Sequence, residues 1–243
     1  MPDSAARVRR FVRENRVLLT LLAAGLLLRL AVALPGLCGD AETCFSRPDT
    51  PGYLGPARAL AAEGSYLDCP GGEPNCGRAP GFPFFASLVF RLFGPENAAA
   101  LAVTLLLAGA LIPLAVYWAG TVWFDRRTAL WGCGFTVLNL TMIAQAPMLL
   151  SDTLFGLIAA LMFGCFGKFH RKSDPRWFVL TLFLAGVGAL IRPINSVWVL
   201  PALFLIAVRP GLGWKQKLAG GVAGLAAFLL VLLPWMGRNA ALG

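Results

Sequence analysis

Apolar residues in this chain come in long runs without two-residue alternation, and the polar residues collect between them. Seven such runs fall at residues 17–34, 98–119, 128–147, 150–168, 177–191, 194–208 and 218–236. A run of roughly 18 or more apolar residues crosses the ~30 Å hydrocarbon core as a helix, which satisfies its own backbone in lipid. The pattern predicts an all-α polytopic membrane protein with about seven transmembrane helices. The fifth and sixth runs are short and meet at "LIRPIN", where Pro193 suits the break of a tight helical hairpin.

Residues 35–97 form one long loop with two further helical patterns. Pro51 suits a first helical position, with Thr50 as N-cap, and the helix then runs to about Glu63 before Gly64 ends it. Tyr53, Leu54, Ala57, Leu60 and Ala61 make one apolar face, with Arg58 outside it. Asp49 lies just ahead of this helix, where the positive end of the dipole favours a carboxylate. The stretch "GFPFFASLVFRLF" is apolar on most sides but too short for the ~20 residues a span needs. Were it a span, the later basic loops would all change sides. Both patterns therefore predict interfacial helices.

Composition agrees: 58% hydrophobic and 14% charged residues, with a mean hydropathy of +0.71, lie outside the range of soluble domains. Most of the 21 Lys and Arg residues fall in "RVRRFVRENR", "FDRRT", "GKFHRKSDPRW" and "RPGLGWKQK". Basic short loops stay cytoplasmic, so residues 1–16 form a cytoplasmic tail and residues 35–97 the outer loop of a protein of the cell (inner or plasma) membrane. The net charge of +9 then reflects an inner rim facing anionic lipid, which argues against a nucleic-acid partner. No convincing small-residue cleavage site follows the first apolar run, which reads as a retained anchor. Arg29 interrupts that run, which also weighs against a lipoprotein signal at Cys38. The sequon at Asn139 lies within the third span, and His170 falls among inner basic residues as a solvated loop residue.

Cys38, Cys44, Cys69 and Cys76 all belong to the outer loop, on the oxidising side, whereas Cys133 and Cys165 lie within apolar spans. At least one disulfide among the four is expected, and the spacing does not choose among the three pairings. Their spacing and the absence of a nearby histidine argue against zinc.

Acidic and basic residues at the outer boundary are the remaining chemistry: Asp49, Asp152, Arg29, Arg78, Arg192 and Arg238. So many costly charges on one side suggest a shared site. A carboxylate there can take a proton from a hydroxyl, and arginines match phosphate oxygens. Asp152 in "SDTLF" also reads as an ordinary helix start.

These residues stand in a familiar order: Arg29, then "DTPGYLGPARALAAEGSY", "GRAPGFPFFASLVFRLFG", "APMLLSDTLF", "GALIRP" and "PWMGRN". The whole chain, 1–243, resembles the N-terminal half of GT-C-type membrane glycosyltransferases, in particular the dolichyl-phosphate-mannose protein mannosyltransferase and aminoarabinose transferase relatives. The resemblance implies a single transmembrane domain that takes a sugar from a polyprenyl-phosphate donor to an acceptor on the outer side. It implies Asp49 as catalytic base and Asp152 as a second catalytic acid, one methylene shorter than the Glu that relatives usually carry. Arg78, Arg192, Arg29 and Arg238 would hold the donor phosphate, and Tyr53 would bind substrate. Thr50 stands where relatives often have a second acid, which removes a ligand for the divalent metal (Mg or Mn) that the family leaves open; no metal ligand is assigned. Family members usually continue for several more spans, so a partner chain supplying further helices is a related expectation. Two other readings stay open: a lipid or sugar transporter or flippase, and a non-catalytic half that needs a partner.

Overall fold

The structure, a computed structural model, describes Arg7, Arg10 and residues 12–242. The N-terminus itself and most of the expected cytoplasmic tail lie outside the described residues. The rest is helical: α1 (Arg16–Cys38), α2 (Ala41–Phe45), α3 (Pro51–Glu63), α4 (Gly81–Phe93), α5 (Ala98–Trp123), α6 (Arg126–Leu138), α7 (Leu140–Gln145), α8 (Asp152–Lys172), α9 (Pro175–Ile191), a 3₁₀ segment (Pro193–Trp198), α10 (Val199–Val208) and α11 (Trp214–Leu242).

Among the described residues, α1, α5, α8 and α11 are long and apolar enough to cross a membrane. The other expected spans are shorter pieces. The run at 128–147 is broken because the Asn139 side chain accepts the Met142 N–H and starts α7 anew. A short polar side chain that caps one helix competes with continuation of the one before it. The run at 177–208 divides at Arg192-Pro193, as the proline predicts. His170 belongs to the last turn of α8 and not to a loop; its ring stacks on Trp123 at 5.5 Å.

In the outer loop, α3 runs from Pro51 to Glu63 and Gly64 closes it at φ 71°. A left-handed residue after a helix is the usual place for glycine. The Thr50 hydroxyl makes no cap bond. It accepts the Arg47 N–H at 2.8 Å and donates to the Leu149 carbonyl at 3.2 Å, while Leu149 N–H donates to Phe45 O at 3.1 Å. These bonds fasten the outer loop to the segment that leads into α8.

Leu54, Phe82, Phe90, Leu101, Leu105 and Leu149 pack with Ala33 and Phe45 in one buried cluster, so α3 and α4 rest on the C-terminal half of α1 and the N-terminal half of α5. Truncating an aromatic buried like Phe82 typically costs about 3–5 kcal/mol. A second cluster joins α8, α9, α10 and α11 through Phe169, Phe178, Leu182, Ile206 and Phe228. Small residues let these helices approach closely, as is common in membranes: a Cβ on Gly224 would lie 2.8 Å from the Phe178 ring.

Candidate active site

Two ion pairs occupy the surface where the outer loop meets the start of α8 and the end of α9. In the first, Arg78 donates to Asp49 Oδ1 at 2.8 Å. Arg78 is fixed from several sides. Its backbone N–H donates to Asn75 Oδ1 at 3.0 Å, its carbonyl accepts the Tyr66 hydroxyl at 3.1 Å, and its guanidinium lies 4.8 Å above the Tyr53 ring. The hydrogen bond to Asp49 also raises the Arg78 pKa further, so the cation is permanent. Burial pushes the Tyr66 phenol well above its usual range, and it remains a neutral donor. Gly52 leaves the room: a Cβ there would stand 2.8 Å from Arg78 Nε.

In the second pair, Arg192 lies 2.7 Å from Asp152 Oδ1. Arg192 occupies the break after α9, and Asp152 the first turn of α8. The acid thus has both a helix-start position and an arginine partner. Arg192 Nε also donates to Ser151 Oγ at 3.4 Å, and Ser151 Oγ is 3.3 Å from the Tyr53 hydroxyl. Ser151 is fully buried. Contacts therefore run without a gap from Asp49 through Arg78, Tyr53, Ser151 and Arg192 to Asp152. Four separate stretches of chain converge here on two cations and two anions.

Four of the expected site residues, Asp49, Arg78, Asp152 and Arg192, are brought together with Tyr53. Arg238 is not in that set: its guanidinium donates to Tyr66 O at 2.7 Å and Asn75 O at 2.9 Å, and it packs on the Tyr66 and Trp235 rings. It ties α11 to the outer loop behind Arg78. Arg29 is fully buried in α1, donating to Gly25 O at 3.0 Å, while its Nε and Nη2 find no partner.

Cys38, Cys44, Cys69 and Cys76 are exposed free thiols. An antiparallel bridge pairs Leu67 with Pro74, flanked by Asp68 N–H to Glu73 O and Asn75 N–H to Tyr66 O. That register puts Cys69 near the tip of the turn and Cys76 just past its paired residues. Among the described residues no three His, Cys, Asp or Glu side chains form a group able to hold a metal. Asp49 and Asp152 each face a separate arginine, so the residues present do not fit a divalent ion.

Ser151, Gly52 and Tyr66 escaped the sequence analysis. Ser151 was visible only as the serine before a helix-start acid, and Gly52 only as a residue of the Pro51 turn. Nothing local marks Tyr66.

The family described as dolichyl-phosphate-mannose-protein mannosyltransferase matches residues 77–236, about two thirds of the chain. The chain belongs to that family, a family of membrane glycosyltransferases. The match spans Arg78, Asp152 and Arg192; Asp49 and Tyr53 precede it and join the site through Arg78 and Ser151. No curated protein matches the chain.

Proposed function

We propose that the chain transfers a sugar from a polyprenyl-phosphate donor to an acceptor hydroxyl, or a similar group, on the outer side of the membrane. The observation that carries this is the unbroken contact path joining two arginines and two carboxylates through Tyr53 and Ser151. Family membership supports glycosyl transfer, and the family's printed name supports a polyprenyl-linked sugar as donor.

In this account the acceptor oxygen attacks C1 of the sugar. The bond from C1 to the phosphate oxygen breaks, and its electron pair stays on the phosphate. Asp49 takes the hydroxyl proton. Arg78 and Arg192 hold the phosphate as its charge grows, which speeds the step because that interaction strengthens toward the transition state. Asp152 and Ser151 position Arg192, and Tyr53 spaces the two cations. Arg29, a buried cation with two free nitrogens, fits a structural or donor-side role within the membrane.

We place the outer loop and this site outside and the loop after α8 inside, and retain the four outer-loop thiols as disulfide candidates. The test is transfer from a synthetic polyprenyl-phosphate sugar by the chain in proteoliposomes, with any partner chain present. Arg78→Ala and Arg192→Ala are each expected to lower the rate by about 10²–10³-fold, the range for losing a charge-stabilising donor. Undiminished transfer by both variants contradicts the proposal.

A further inference from the structure

We infer that a donor phosphate displaces Asp49 from Arg78, and that this exchange is what frees the Asp49 carboxylate to act on an acceptor. The inference rests on the site proposed above and concerns how that site is regulated. In the structure Asp49 makes its ion pair with the arginine expected to hold phosphate, at 2.8 Å. Base and phosphate therefore compete for one cation.

The two partners of that pair are held unequally. Arg78 has its backbone held by Asn75 and Tyr66 and its guanidinium against the Tyr53 ring, so it is the better-held partner. Asp49 occupies a turn, and its side chain is 66% exposed. Exposed ion pairs contribute little, up to roughly a fivefold change in an equilibrium constant. A phosphate offers the guanidinium a charge-assisted, two-pronged partner in exchange. The second pair is built differently: Asp152 is part of a helix, and Arg192 has Ser151 as a further partner. Exchange is therefore assigned to the first pair.

The consequence is a gate. Without donor the base is occupied by Arg78 and the two charges neutralise each other. With donor bound, Arg78 turns to the phosphate and Asp49 is available to the acceptor, so the donor binds first and water is a poorer substitute for the acceptor until then. A base that met only the acceptor would leave donor affinity unchanged on mutation. Exchange makes the opposite prediction, because removing the competing carboxylate helps the phosphate.

The experiment measures binding of undecaprenyl phosphate to the full chain in detergent, for wild type, Asp49→Asn, Arg78→Ala and the double variant. The expected result is binding about two- to fivefold tighter in Asp49→Asn than in wild type, with no tightening from Asp49→Asn when Arg78 is already Ala. Equal or weaker binding by Asp49→Asn overturns the exchange and leaves the site itself standing. Equal tightening in the Arg78→Ala background also overturns it, since the effect is then a general field. No binding by wild type overturns the phosphate site and the exchange together. A parallel titration with inorganic phosphate identifies the source. The same Asp49 dependence supports exchange by the phosphate group alone, and dependence seen only with the lipid supports exchange by a lipid-borne phosphate.

Discussion

A Cβ on Gly52 would stand 2.8 Å from Nε and 3.0 Å from Nη2 of Arg78, so the guanidinium lies directly over the first turn of α3. Gly52→Ala therefore pushes aside the end of a flexible side chain while improving helix propensity. The expected outcome is donor-phosphate binding weakened by about tenfold, on the scale of one charged hydrogen bond, with an unchanged or raised thermal midpoint. Binding and melting measured on the same preparation check it; a variant that binds normally places Arg78 outside the phosphate site.

Ser151 gives a second prediction. Its buried hydroxyl links the Tyr53 hydroxyl to Arg192 Nε. Ser151→Ala leaves both without that partner, a loss of about 1–3 kcal/mol. Transfer rate is expected to fall by about tenfold or more, and the fall should exceed any change in stability measured by thermal unfolding. A rate equal to wild type contradicts the coupling.

Arg238 is expected to behave as a fastener. Two of its nitrogens donate to Tyr66 O and Asn75 O, joining α11 to the outer loop. Arg238→Ala should lower stability by about 1–3 kcal/mol, because the Asn75 carbonyl loses its donor while Tyr66 O keeps the Asn75 N–H. Thermal unfolding checks this against Arg192→Ala, which should slow transfer more than it destabilises.

Topology yields a prediction of its own. Lys172 is exposed at the end of α8, in a basic segment assigned to the cytoplasm. A cysteine replacing it should stay unlabelled by an impermeant maleimide applied outside intact cells, with mapping by mass spectrometry to separate it from the outer-loop thiols. Ready labelling from outside contradicts the assigned orientation.

What could be read in the sequence was local. Pro51 and Gly64 bracket α3 because a fixed φ at one end and a left-handed residue at the other act within a few residues. Pro193 ends a helical run for the same reason. What could not be read was pairing across the chain. Asp49 meets Arg78 over 29 residues, Tyr53 meets Ser151 over 98, and Arg192 meets Ser151 over 41. Thr50 shows the conflict plainly. It has the composition of a cap, yet its hydroxyl serves the Leu149 carbonyl 99 residues away, a partner that exists only after folding. Asn139 was hidden by its apolar surroundings, because the run looked continuous although its side chain caps a new helix.

Asp49 is proposed to accept the acceptor's proton, and sugar transfer by Asp49→Asn tests that role most directly. The substitution keeps size and shape but cannot take a proton. In proteoliposomes supplied with a polyprenyl-phosphate sugar and a saturating acceptor, the rate is expected to fall by about 10²–10⁴-fold, the usual contribution of a general base. A variant that transfers sugar within about threefold of wild type, far inside that range, contradicts the claim.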